Sequence, residues 1–181
     1  MNSLVATAPL NRPALQWRER ALYLWGAAFV AGNLALPHLT HLALGAAGGR
    51  ALLPLFFFTL VGAGCFGRNV GLLTAVVSPL AAHALSGGVM PPVEALPVLL
   101  VKGGALALLA PLAVARARFI PLAVAAAVIG CQLVGGAFEW AWTGEFARAA
   151  QDVRVGWPGL LAQFVLGSLV LGAVARARAS R

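Results

Sequence analysis

The sequence predicts an all-α, polytopic membrane protein built as one bundle of six transmembrane helices, and three observations carry that expectation. Of its 181 residues 61% are hydrophobic and only 10% charged, against about half apolar and a quarter charged in an ordinary soluble domain. The apolar residues fall into six runs separated by short basic or Gly/Pro-rich breaks. Arginines recur at alternate breaks, so that nine lie on the side of the termini and three on the other. A chain this short has too much exterior to hide such an excess inside a soluble core. A bilayer accepts apolar exterior, provided each crossing satisfies its own backbone hydrogen bonds, which makes helices the default element. No long stretch alternates apolar and polar residues at period two, so a membrane barrel is excluded.

Taken in order, Met1 to Arg20 is a polar, basic segment without the apolar stretch and cleavage site of a signal peptide, and is expected to stay in the mature protein on the cytoplasmic side. The transmembrane domain is expected over 21–175. Its first run, Ala21 to Leu36, is closed by Pro37, because proline lacks an amide and disfavours helix in the residue before it. A Gly-rich stretch with two histidines, His38 to Arg50, follows. The second run, Ala51 to Phe66, is short for a crossing and calls for tilt or for shielding by neighbours. The third, Val70 to Leu85, ends in the turn-forming residues Ser86 to Pro92. The fourth, Val93 to Val114, carries the sole lysine, Lys102; Arg116 and Arg118 separate it from the fifth, Phe119 to Phe138. An amphiphilic connection from Glu139 to Val155 holds three of the five acids, and the sixth run, Trp157 to Val174, leads into a basic tail, 176–181. Positive charge gathers on cytoplasmic loops, so both termini are expected there.

The net charge of +8 is dispersed between apolar runs and not laid along one face, which argues for a membrane and against nucleic acid. Cys65 and Cys131 have no CxxC partner and read as small core residues. The motifs of serine hydrolases, zinc proteases, P-loop ATPases and paired-aspartate enzymes are absent, so no catalytic residue, metal site or intrinsic cofactor is assigned.

Polar residues at membrane depth are the candidates for function, since burying them costs several kcal/mol unless a partner or cavity compensates. Asn33, His38 and His41 lie at the outer end of the first helix; His83 ends the third; Glu94 opens the fourth. Lys102 lies on roughly the same face as Glu94, and its natural partner is Glu94 or Glu139. Glu139, Trp140 and Trp142 end the fifth helix, the tryptophans reading either as an interfacial belt or as substrate stackers. All are expected to converge on the outer half of the bundle. Gln132 and Gln163 are expected to bond across helices. Ala27, Ala31 and Ala35 form a stripe at four-residue spacing that suits helix docking, although alanine-rich chains produce such stripes by chance.

Six short crossings, termini inside, the alanine stripe, and the segments Leu53-Pro54-Leu55-Phe56-Phe57-Phe58-Thr59-Leu60, Gly71 to Leu80, Met90-Pro91-Pro92 and Leu96-Pro97 together resemble the substrate-binding S components of energy-coupling factor (ECF) transporters. That resemblance implies capture of a vitamin or related micronutrient for uptake across the bacterial inner membrane. The ligand would sit under the outer loops, here holding His38 and His41, Ser86 to Glu94, and Glu139 to Asp152. The stripe Ala27, Ala31, Ala35 would meet a scaffold subunit, and two ATPases would drive rotation of the S component. In size and alanine- and arginine-rich composition the chain is similar to the solitary cobalamin-binding group, which faces cobalt with a cysteine. Neither Cys65 nor Cys131 matches that cysteine, and His83 is the candidate replacement as an axial nitrogen ligand. The alternative expectation is a small membrane enzyme or assembly factor acting on a lipid-soluble substrate, with Glu94, His83 and Lys102 as acid-base groups.

Overall fold

The computed structural model describes residues 7, 10, 13–52 and 56–180; the side chains of 41, 44–52 and 152 lie outside that description. Every regular element among the described residues is helical. Four helices have the length and apolarity of membrane crossings, over Arg20–Thr40, Val93–Arg116, Ile120–Thr143 and Trp157–Ala179. Between 22% and 39% of each such window is buried within the protein, and the outward remainder carries large apolar side chains such as Leu24, Leu112, Leu133 and Leu169. Exposure of that kind needs lipid, and the chain has the build of a multi-pass membrane protein.

Helix α1 runs Arg20–Leu52, with Pro37 inside it. The expected stop at Pro37 is therefore corrected, and with it the placement of His38 and His41 in a loop. Proline withholds an amide from the Asn33 carbonyl, but neighbouring helices let membrane helices tolerate that loss.

Helix α2, Phe57–Phe66, starts later than the expected Ala51 and has ten residues, about 15 Å and half a bilayer core. Thr59 through Cys65 are all buried. It packs against α1, against α3 (Arg68–Leu85), α4 (Leu96–Arg116) and α8 (Trp157–Ala179). Shielding by neighbours is thus how the short second run is accommodated. One residue, Gly67, joins α2 to α3 at φ +90°, and a Cβ there would stand 2.7 Å from the Ala14 Cα, so both conformation and space demand glycine.

Helix α5 spans Ile120–Thr143, five residues beyond the expected Phe138, and closes on left-handed Gly144. Two short helices, α6 (Phe146–Ala149) and α7 (Gln151–Arg154), follow before α8, which carries the expected tail into helix as far as Ala179. Chain direction sorts the bundle into two ends. Arg20, Arg68, Arg116, Arg176 and Arg178 lie at one; the α3–α4 and α5–α8 connections lie at the other.

The N-terminal segment is more than a solvated tail. Leu10 is buried in the core, Thr7 Oγ1 donates to the Ala117 carbonyl, the Leu15 amide donates to Phe66, and Asn69 Nδ2 donates to Leu15. These residues cap the arginine-rich end.

Candidate functional site

The connection end collects most of the polar residues singled out from sequence, because α3 and α5 finish there and α4 and α8 begin there. Its centre is an ion pair. Lys102 Nζ, on α4, lies 2.8 Å from Glu139 Oε2 on α5, with 3% and 14% of the two side chains exposed. Of the two expected partners Glu139 is the one engaged. Glu94 is exposed on the 3₁₀ turn Val93–Ala95 that precedes α4.

The lysine reaches its partner because α5 leaves room. A Cβ at Gly135 would fall 2.0 Å from Lys102 Cγ and 2.9 Å from Cδ, so the aliphatic stem lies in the groove that glycine opens. Glu139 is one helical turn farther along the same face. The pair is thereby assembled from two adjoining faces, with the ammonium directed toward the connection end. Arg148 Nε, on α6, stands 4.0 Å from the other carboxylate oxygen, Oε1. Three elements thus share one carboxylate, and at such low exposure its charge is held by fixed geometry more than by water.

His83 is half-buried near the end of α3, its Nδ1 2.7 Å from the Pro91 carbonyl. A carbonyl only accepts, so Nδ1 carries the proton, and in the neutral ring the lone pair is on Nε2. Ser86 fastens the same connection, donating to the His83 carbonyl at 3.0 Å and accepting from the Met90 amide at 2.8 Å. The histidine ring therefore orders the α3–α4 connection while presenting its second nitrogen beside Gly88.

Asn33 has a different place from the one expected of a ligand-binding group. It is fully buried. Its Nδ2 donates to Thr59 Oγ1 at 3.2 Å and to Ser78 Oγ at 3.1 Å, while Oδ1 accepts from the Phe58 amide at 3.1 Å. Phe58 is in the first turn of α2, whose own N-cap, Phe56, offers no side-chain cap. Asn33 supplies from α1 the cap that α2 lacks and ties α1, α2 and α3 together. Gln163 does similar work from α8, donating to the Phe56 carbonyl at 3.4 Å.

His38 is exposed on α1, and the side chain of His41 is outside the described residues. Trp140 and Trp142 are exposed; Trp140 meets Phe146 edge-on at 5.7 Å, and Trp142 stacks on Phe138 at 5.9 Å. The packed side of α1 is Leu22, Gly26, Phe29 and Asn33, all buried. Ala27, Ala31 and Ala35 are exposed on the opposite side, since successive residues turn by about 100°.

Lys102, Glu139 and Trp140 are thus gathered at one end with His83 and Glu94, but His83 engages its own connection and Glu94 points to the exterior. Sequence reasoning missed Gly135 and Arg148. The spacing of Gly135 to Glu139 could have flagged the first, whereas nothing local marks Arg148 as the second cation. Beside it, Glu145, Arg148, Gln151, Arg154 and Val155 border an open concavity of about 620 Å³. Comparison of the chain with protein-family models, with curated proteins and with solved structures finds no match.

Proposed function

We propose that the protein is a substrate-capture subunit for uptake of a vitamin or related micronutrient across the bacterial inner membrane, of the ECF S-component type, with cobalamin the leading single ligand. On this reading the chain crosses six times, α2 and α3 completing the set, with both termini and the arginine-rich end in the cytoplasm. The connection end then faces outward and receives the ligand.

The observation that carries the reading is the Lys102–Glu139 pair. A buried ion pair is seldom favoured over apolar packing of the same volume, so its presence under the outward connections points to a functional demand for charge at that depth. Two further features agree with it. The alanine face of α1 is unused by the bundle itself and suits close approach of a scaffold helix, the rotation being driven by separate ATPases. His83 Nδ1–H on a backbone carbonyl leaves Nε2 oriented as histidines that bind metals are.

Mass spectrometry of small molecules released from the purified full chain tests the reading. One vitamin-like compound at near-equimolar yield, unchanged after incubation, is expected. Conversion of the compound on incubation would instead make the protein an enzyme, and failure of every micronutrient to bind would end the proposal. For cobalamin, titration of His83→Ala should lose the altered cobalt absorbance; an unchanged spectrum and affinity would remove histidine ligation.

A further inference from the structure

The α5–α8 connection folds back on α5 as a small, fixed shelf. Trp140 holds Phe146 edge-on, Ala149 is buried with its carbonyl close to Gly136, and Arg148 leans on Glu139. The concavity beside it has a mixed lining: guanidinium groups from Arg148 and Arg154, the Gln151 amide and the Glu145 carboxylate. It is open to the exterior, with a volume of about 620 Å³. Trp140 and Phe146, both exposed, meet where α6 begins, and exposed Trp157 follows the lining residue Val155 by two positions. Tryptophans of a membrane protein settle at headgroup depth, so the concavity opens where lipid phosphates lie.

From this placement we infer that the shelf formed by α6 and α7 is a binding site for the headgroup of an aminophospholipid, a phosphodiester that carries a primary ammonium. The two guanidiniums match the phosphate in charge and in geometry. Glu145 provides the complementary acceptor, which a primary ammonium can satisfy with N–H donors and a quaternary one cannot. A phosphate site alone would be served by the arginines; the carboxylate in the same lining is what selects the zwitterion. Arg148 belongs both to this lining and to the surroundings of the Lys102–Glu139 pair.

Native mass spectrometry of the full chain in detergent, titrated with phosphatidylethanolamine, phosphatidylcholine and phosphatidylglycerol of matched acyl chains, tests the site. Wild type should retain phosphatidylethanolamine severalfold better than the other two. Arg154→Gln should lower retention of all three. Glu145→Gln should abolish the preference for ethanolamine over choline while raising retention of phosphatidylglycerol. Opposite effects of the two variants on phosphatidylglycerol cannot come from unfolding. Soluble glycerophosphoethanolamine separates the two sources of the headgroup, and it should compete only weakly. The inference is overturned if wild type shows no ethanolamine preference, if Arg154→Gln binds as wild type does, or if the soluble headgroup displaces the lipid at comparable concentration.

Discussion

Glu139 receives the Lys102 ammonium on one oxygen and stands near Arg148 on the other. Glu139→Gln takes this carboxylate from an ammonium that is 3% exposed and should lower the thermal midpoint, as weakening a buried pair does. Lys102→Met should lower it too, because Glu139 loses the cation 2.8 Å from its Oε2. The double variant should recover part of the loss, read as thermal midpoints in detergent. Gly135→Ala is a steric counterpart: its methyl would displace the Lys102 stem and lower the midpoint, whereas in a Lys102→Ala background it should lower it little further. Asn33→Leu should cost about 1–3 kcal/mol for each group it leaves unsatisfied, here the Thr59 and Ser78 hydroxyls and the Phe58 amide. The sequence marked Lys102 and Glu139 because charge within apolar runs is conspicuous. For Asn33 the sequence indicated depth without role, and depth alone cannot distinguish a ligand contact from the cap it offers to α2.

Among the elements, α1 and α2 show how length and surroundings trade. A ten-residue helix cannot cross a bilayer core unaided. Packing on four other helices covers α2, which meets protein where a longer helix would meet lipid. Its junction with α3 depends on Gly67, and Gly67→Ala should destabilise by about 1–3 kcal/mol from backbone strain, with the collision against Ala14 added. On α1, Ala31→Leu should leave the thermal midpoint of the isolated protein unchanged, because Ala31 is exposed opposite the packed face, and on the proposed uptake reading it should weaken association with a scaffold subunit in a pull-down. Loss of stability on that substitution would show that the stripe is packed within the protein. Pro37 misled the reading of α1: the rule that proline ends a helix assumes competing water, and a membrane bundle offers less of it.

For the whole molecule the decisive quantity is orientation. Cys65 and Cys131 are both buried, so single cysteines placed at Ala147 and Ser180, after the native ones are replaced by alanine, report the two ends. A membrane-impermeant maleimide applied to intact cells should label Ala147→Cys and spare Ser180→Cys, which becomes reactive only after permeabilisation. The reverse pattern would invert the topology and place the ion pair on the cytoplasmic side. Sequence by itself determined the helical, membrane-spanning class, the gathering of nine of the twelve arginines at the breaks away from the acidic connection, and the lysine and glutamate as candidates. Composition and charge spacing suffice for these, because the bilayer acts on each segment separately. Only the tertiary structure decided that Glu139 and not Glu94 meets Lys102, that Asn33 caps α2, that Thr7, Leu10 and Leu15 pack and bond at the arginine-rich end, and that α2 is shielded. Each of these is set by which helix faces meet, and contacts between residues distant in sequence leave no periodic trace along the chain.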